Sequence, residues 1–310
     1  MTLCVVTVCF GQAETVAAHL ATWAAASTGE VPGGLRVRVV DNSPAGAGVA
    51  AAIADLRFAG QAAEVIERPD NPGFAEAVML ATNDLADDDH LVLLNPDVAV
   101  GSGFFAALET FASTSPPRTL GAVPLTTDGV EQSGVGVGVL LHFRDAQAGR
   151  RLLRVGPSGG GAVIPGRAWR ELGGLWGPFF AWGEDADFAL RAHRAGYRTA
   201  VVPVAADHLG GHTVSSRALV QRKARLLNRN RIWYLARAAD PTLVVLLAVP
   251  WTIVLLAVAA KNARRRATLA TLHGIADGLR GWPTAWRSVD GPRLGVAGWW
   301  AIARAAWSAG

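Results

Sequence analysis

Leu91-Val92-Leu93-Leu94-Asn95-Pro96-Asp97 sets four apolar residues before an Asn-Pro-Asp turn. The apolar run reads as a buried strand, and Pro96 ends it because proline cannot donate to a central ladder. Open parallel sheets bind ligands beyond the carboxyl ends of their strands. Asp97 is therefore a carboxylate delivered to the edge where such folds do chemistry. An ordinary Asx turn after a strand would explain the same residues, so the neighbouring segments have to decide.

Upstream, strands and helices alternate. Leu3 to Val8 reads as a strand and Ala13 to Ala26 as a helix. Leu35 to Val40 is a strand ending at Asp41-Asn42-Ser43, and Ala45 to Leu56 reads as helical. Ala63 to Glu67 is a strand ending at Pro69-Asp70-Asn71-Pro72-Gly73, followed by a helix from Phe74 to Leu85. This alternation predicts an α/β fold with a doubly wound, mostly parallel sheet. Downstream, Gly101 to Ser113 reads as a helix and Leu120 to Thr126 as one strand. Asp128 to Gly161 is Gly-rich and reads as a loop or hairpin. Its Gly134-Val135-Gly136-Val137-Gly138 run lacks the spacing and the following helix of a dinucleotide fingerprint. Gly160 to Pro165 is a strand, Arg167 to Leu172 a helix, Gly173 to Trp182 an aromatic loop and Glu184 to Ala195 a helix. A strand from Arg198 to Pro203 leads to His208 and His212.

The character then changes. Leu219 to Ala238 is a basic helix, Pro241 to Ala260 carries no charge, and tryptophans are scattered to the end. A boundary near Thr213 to Arg217 divides an α/β unit, residues 1–215, from a helical and hydrophobic region, residues 216–310. The chain is half hydrophobic and only 17% charged, with a formal charge of +4. Its basic residues concentrate between Arg217 and Arg266. A basic, oily carboxyl end points to a membrane surface, and without a base-stacking motif or zinc knuckle no nucleic-acid partner is expected. Cys4 and Cys9 share the first strand about 16 Å apart, too far to bridge, which suits a reducing compartment.

The polar clusters lie where a doubly wound sheet gathers them. Asp41, Asn42, Asn71 and Asp97 sit at strand ends. Asp41 and Asn42 suit a base or ribose, and Asp97 a hard divalent cation whose shell phosphates would complete. His208 is a second ligand for a metal that tolerates imidazole. Glu184, Asp185 and Asp187 fall in the first turn of a helix, where acids also serve the macrodipole. They exceed what capping needs, and they follow Trp176, Phe179, Phe180 and Trp182, an aromatic set suited to a sugar ring.

Taken in order, the stretches Val5 to Phe10, Val39 to Ser43, Asn71 to Ala75, Leu93 to Val98, Gly173 to Leu175, Phe180 to Phe188, His208 to Thr213 and Arg229-Asn230 resemble family 2 inverting glycosyltransferases. The likeness is greatest to their bacterial rhamnosyltransferase-like branch, and it covers about Leu3 to Arg231. It implies the nucleotide-sugar-binding fold called GT-A. It also implies Asp185 as catalytic base, with Thr7, Cys9, Phe10, Asp41, Asn42, Asn71, Gly73 and Asn95 around the donor. Trp182, Glu184 and Asp187 would meet the acceptor, and Asp97 and His208 would hold Mg²⁺ or Mn²⁺. The donor would be a nucleoside diphosphate sugar, with rhamnose one candidate, and the acceptor a lipid-linked or cell-envelope glycan. The chain departs from the pattern in three places: Asn-Pro-Asp replaces Asp-x-Asp, Met79 stands where a second Asn is usual, and Cys9-Phe10-Gly11 replaces the commoner Thr-Tyr-Asn. A nucleotidyltransferase of sugar-nucleotide synthesis and a catalytically weak membrane-surface binding protein are the competing readings. The first would want a Gly-rich basic loop after the first strand, where Gly11-Gln12-Ala13 stands.

The uncharged run from Pro241 to Ala260 is long enough to cross a bilayer. Pro250 and Trp251 at its centre, and basic residues at both ends (Arg229, Arg231 and Arg237 before it; Lys261, Arg264, Arg265 and Arg266 after it), favour a kinked, re-entrant or interfacial segment at the cytoplasmic face of the cell membrane. A buried helical pair or a homo-oligomer contact is the alternative.

Overall fold

A computed structural model describes residues 1–11, 13–29, 31–208, 217–263, 266–289 and 291–309. His212, the expected boundary near Thr213 to Arg217 (save Arg217), Arg264 and Arg265 lie outside the described residues, as does Gln12.

Seven strands form the main sheet, in the spatial order Arg198–Val201, Thr119–Ala122, Gly161–Pro165, His90–Leu94, Leu3–Cys9, Leu35–Asp41, Glu64–Glu67. Every pairing is parallel except those of Gly161–Pro165, which runs antiparallel to both neighbours. The apolar strands follow from burial on both faces. Leu3, Val5 and Cys9 point to the helices Ala13–Ala26 and Phe104–Thr114, packing with Leu20, Trp23, Phe104 and Phe105. Cys4 and Val6 point the other way, to Ala77, Val78, Trp169 and Phe188. Both cysteines are buried free thiols.

The expected elements differ from the observed ones where glycine and proline intervene. The helix expected over Ala45 to Leu56 shrinks to Val49–Ala52, because Gly46 and Gly48 hold φ of +82° and +81° before it. The helix from Phe74 ends at Ala81. The strand before Asp97 ends at Leu94 as expected, so the whole Asn-Pro-Asp turn projects beyond the sheet. The single strand expected over Leu120 to Thr126 is two, Thr119–Ala122 and Leu125–Thr127, with Pro124 between them. The second piece leaves the main sheet for a four-stranded one, ordered Val98–Ala99, Ala206–His208, Leu125–Thr127, Val130–Gln132. Of the two readings of the Gly-rich region, loop or hairpin, the structure takes the hairpin. The region contributes Val130–Gln132 to that sheet and forms a three-stranded antiparallel sheet of Phe143–Asp145, Val135–Val137 and Leu153–Gly156.

The carboxyl-terminal third is helical: Arg217–Ala238, Pro241–Ala263, Thr268–Arg280, Trp282–Arg287 and Val296–Ser308. Its core is continuous with that of the rest of the chain. Tyr234, Leu243, Leu247, Trp251 and Ile302 pack with Val137, Val155, Phe179 and Leu190. The Trp251 and Trp299 indoles donate to the carbonyls of Leu140 and Val139, at 2.8 and 2.6 Å. The apolar helix runs unbroken past Pro250.

One buried ion pair ties these helices to the acidic helix Glu184–Arg194. Arg237 Nε and Nη2 donate to Asp187 Oδ1 and Oδ2 at 2.7 and 3.0 Å, and Arg191 Nε donates to Oδ2 at 2.9 Å. Burial alone would raise the Asp187 carboxyl, but the two guanidiniums outweigh it and hold it below the usual carboxylate range. Its contribution to stability is thus complete above about pH 3.9, the unfolded value, and is lost as pH falls through the lower native one. Removing one partner of such a pair leaves an uncompensated buried charge. Asp187→Asn should cost about 3–5 kcal/mol at neutral pH, measured by urea unfolding. A loss under about 1 kcal/mol would show that the pair is incidental.

Candidate active site

The site is built at the carboxyl edge of the parallel strands. Asp41 closes the second strand and is buried. Its Oδ1 accepts the Ser43 N–H at 2.9 Å and the Cys9 thiol at 3.7 Å. Burial, with the Asp41 charge beside it, pushes the Cys9 thiol up to about 12, so Cys9 stays protonated and serves as a donor to Asp41. Phe10 is exposed at the mouth, one residue beyond the strand.

Asn42 Nδ2 donates to the Gly73 carbonyl at 3.2 Å. Asn42 Oδ1 and Thr7 Oγ1 are buried without a hydrogen-bond partner. Orphaned buried polar atoms are rare and costly, and two of them near one strand edge suit a polar ligand. Asn71 sits at φ +45° and its Oδ1 accepts the Gly73 N–H at 3.2 Å. Gly73 is required here: at φ +91° it lies against Phe180, and a Cβ would meet the Phe180 carbonyl oxygen at 2.6 Å. Met79 has its own task. Its Sδ accepts the Leu175 N–H at 3.2 Å, and it packs under Gly174 at the root of the aromatic loop.

The Ser158–Gly161 segment connects the two halves of the site. Asn95 N–H donates to the Gly160 carbonyl at 3.2 Å. One residue earlier, Gly159 N–H donates to Asp185 Oδ2 at 3.1 Å. Phe74, next to Gly73, lies close against Gly159. The donor-side turn, the Asn-Pro-Asp turn and Asp185 are thus held around one short stretch of backbone.

Asp97 and His208 meet directly. Asp97 Oδ1 lies 3.1 Å from His208 Nε2, and His208 Nδ1 lies 3.1 Å from Thr127 Oγ1. Burial acts to raise the Asp97 carboxyl, but the His208 hydrogen bond and charge outweigh it and hold it low. The Asp97 hydrogen bond in turn raises His208. The pair fits a divalent cation. Two adjacent ligands at about 2.1 Å from an octahedral ion lie about 3.0 Å apart, and a hydrogen bond at the far ring nitrogen is the usual way to orient a ligating histidine. Among the described residues no cluster of three or more such side chains occurs, so further ligands would come from a bound phosphate.

The three acids of the motif occupy different environments. Glu184 is buried, its Oε2 has no partner, and burial together with Asp185 pushes its carboxyl up to about 8. Asp185 is partly exposed and accepts N–H groups from Gly159 and Ala186. Burial raises its carboxyl more than those hydrogen bonds lower it. Asp187 does not reach the site: it is saturated by Arg191 and Arg237, and its expected place at the acceptor is corrected to a structural one. Glu184 is likewise withdrawn from the surface on which an acceptor would lie.

Sequence reasoning missed three contributors. Asp145, on an exposed hairpin strand, lies near enough to raise both Asp185 and His208. The Gly159-Gly160 backbone carries no pattern of its own. Asn230 had surfaced only as half of a resembling pair, without a task. It is fully buried, and its Nδ2 donates to the carbonyls of Phe179, Ala181 and Trp182 at 2.9, 2.8 and 2.8 Å. Arg229 adds a bond to the Phe179 carbonyl at 2.8 Å. The loop needs this frame, because Phe180 and Trp182 hold φ of +67° and +66° and Gly183 of +117°.

A family model described as glycosyl transferase family group 2 matches residues 139–279. No curated protein matches the chain. Among solved structures, the mannosyltransferase PcManGT from Pyrobaculum calidifontis, in complex with GDP-Man and Mn²⁺, superposes with a TM-score of 0.54 at 15% identity, covering 99% of this chain and 85% of that one. TarS residues 1–349 from S. aureus give 0.51 at 13% identity, covering 93% and 91%. GalNAc-T7 with UDP, GalNAc and Mn²⁺ gives 0.52 at 12% identity, covering 78% of this chain and 48% of that one. The chain has the GT-A nucleotide-sugar-binding fold, and its segment 139–279 is similar to glycosyl transferase family group 2.

Asn230→Ala removes the donor that three loop carbonyls share, leaving Arg229 to hold Phe179 alone and the Ala181 and Trp182 carbonyls without it. It should lower stability by about 1–3 kcal/mol, read by thermal melting, and expose the bonds between Trp176 and Gly183 to limited proteolysis. An unchanged digestion pattern would show that the loop holds itself.

Proposed function

We propose that the protein is an inverting glycosyltransferase. It moves a sugar from a nucleoside diphosphate sugar to a hydroxyl of a lipid-linked or cell-envelope glycan, with a divalent cation assisting. The observation that carries the reading is the convergence of the Asp97–His208 pair and Asp185 on either side of the Ser158–Gly161 segment. A phosphate-side cation site and a carboxylate with a raised affinity for protons are the two parts that an in-line transfer needs.

Thr7, Asn42 and Asp41 would meet the base and ribose, with Cys9, Phe10, Asn71, Gly73 and Asn95 shaping the pocket. A cation held by Asp97, His208 and the donor diphosphate would supply charge stabilisation for the departing nucleoside diphosphate. Asp185 takes the proton from the acceptor hydroxyl as its oxygen bonds to the anomeric carbon and the carbon–phosphate-oxygen bond breaks. Its raised carboxyl suits that task, since a base works best with a value nearer the working pH. Glu184, pushed up to about 8, stays neutral at pH 7 and leaves Asp185 as the charged member of the adjacent pair. Trp182 offers the acceptor sugar an aromatic face. Rhamnose is the first donor sugar to test, from the motif likeness. Residues 1–215 would serve as the catalytic unit and 216–310 as the part that holds it at the cytoplasmic face of a membrane.

Asp185→Asn should lower turnover at least about 10²-fold while donor binding is retained. Near-normal turnover would remove Asp185 from the role. In the parent enzyme, kcat/KM should fall as pH drops through the Asp185 value. That acid limb should lie above the ordinary aspartate value of about 3.9 and should not depend on Asp187.

Chelation should abolish activity, and Mg²⁺ or Mn²⁺ should restore it. Asp97→Ala should weaken donor binding in the presence of cation, whereas Asp41→Ala should weaken it without altering the cation requirement. Full activity in excess chelator would rule out the assisted route. Donor hydrolysis without acceptor, read across a nucleotide-sugar panel, distinguishes a transferase from a nucleotidyltransferase and from a binding protein.

A further inference from the structure

The Pro241–Ala263 helix is apolar all round, yet only one side of it has protein to pack against. Leu243, Leu247 and Trp251 are buried in the core shared with Tyr234 and Leu190. On the opposite side Val245, Leu246, Val249, Ile253 and Leu256 are between 50% and 75% exposed. Their spacing puts them within about 100° of one another around the helix, at 100° per residue. The adjoining Thr268–Arg280 helix is joined to it by Asn262 Nδ2 donating to Thr271 Oγ1 at 2.8 Å. That helix buries Thr271, Gly274 and Gly278 and exposes Leu269, Leu272 and Leu279. An apolar helix face of this extent left open to water marks an interaction surface.

Charge says what covers it. From Pro241 to Gly310 there are eight basic residues and two acidic ones, Asp277 and Asp290, whereas the rest of the chain is net −2. Asp277 is already paired with Arg225 and Arg280. Lys261 in the last turn of the apolar helix, Arg266 just after it, Arg280 in the last turn of the leucine-bearing helix and Arg287 one helix further on are all exposed. Two copies meeting through this face would bring two cationic rims together, while an anionic leaflet complements the rim and takes up the apolar residues. Trp300 and Trp307 are exposed on the Val296–Ser308 helix, where indoles suit a headgroup layer.

We propose that the Val245–Leu256 face, with the leucine stripe beside it, docks on one leaflet of an anionic bilayer, the helix lying along the membrane plane. Among the described residues this is the one helix long and apolar enough to cross a bilayer. Crossing would tear Leu243, Leu247 and Trp251 from the core and break the Trp251–Leu140 hydrogen bond. The in-plane arrangement keeps all of them. It rests on the membrane part of the function proposed above and gives that part a surface and an orientation.

The test uses the full-length protein without detergent and vesicles of phosphatidylcholine alone or mixed three to one with phosphatidylglycerol. Flotation with the mixed vesicles, weakened by salt and by omitting the anionic lipid, is expected. Val249→Glu with Ile253→Glu should reduce the floated fraction at least about 10-fold, with circular dichroism and donor hydrolysis unchanged. Single cysteines at Thr242 and Ala260 should label with an impermeant maleimide from the same side, the native cysteines being buried. Labelling from opposite sides overturns the in-plane arrangement. Undiminished flotation of the double variant overturns the assigned face. So does a dimer that the double variant dissociates while flotation persists, which would give the face to a second copy. A protein that turns over donor but never floats loses the docking surface and keeps the transferase reading; one that floats without turning over any donor does the reverse.

Discussion

The buried Asp187–Arg237 pair joins the two parts of the chain on which everything at the site depends. Asp187 lies in the first turn of the acidic helix, two residues after Asp185, and Arg237 lies in the last turn of the basic helix. Two turns before Arg237, Asn230 supports the loop that leads into Asp185. The same long helix therefore grips the acidic helix start from both sides. The placement of Asp185 is a property of the junction, and neither part alone fixes it. Helix packing on this scale lets a solvent-facing carboxylate keep one geometry without a covalent restraint.

Three acids within four residues illustrate how environment assigns work. Glu184 is buried without a cation and holds its proton; Asp187 is buried with two guanidiniums and surrenders it; Asp185, between them in sequence, faces the cleft with two backbone donors. Identical chemistry in one turn of helix is separated into a neutral filler, a structural anion and a titratable group. The division follows from helical geometry, since consecutive residues point about 100° apart and so meet different walls.

What the sequence could tell follows the same logic. The parallel sheet was legible because strands buried on both faces are written as unbroken apolar runs, and the polar ends of those runs located Asp41, Asn42 and Asp97. The small sheets were legible only as far as a hairpin alternative for the Gly-rich stretch. Val135–Val137 alternates with glycines that fit against neighbours such as Leu152 and His142, and a glycine chosen for close approach looks the same in sequence as one chosen for a turn. Asp187 was misassigned because its fate depends on Arg237, 50 residues away. Gly159 and Gly160 act through backbone N–H and C=O groups that every residue carries. The apolar helix was recognised as membrane-like, but only the structure reveals that Leu243, Leu247 and Trp251 are spoken for.

The split of one expected strand at Pro124 has a consequence for how tightly chain length is constrained. Leu125–Thr127 leaves the main sheet and pairs with Ala206–His208, which in turn sets His208 opposite Val98, one residue past Asp97. Strand side chains alternate faces, so a shift of one position exchanges them. The backbone ladder thus works as a ruler for the Asp97–His208 pair. Substitutions between Val202 and Val204 leave the count intact, but gaining a single residue there would turn His208 away and offer the exposed Asp207 instead. The imidazole–carboxylate meeting is encoded as a distance along the chain as much as by the identity of the two residues.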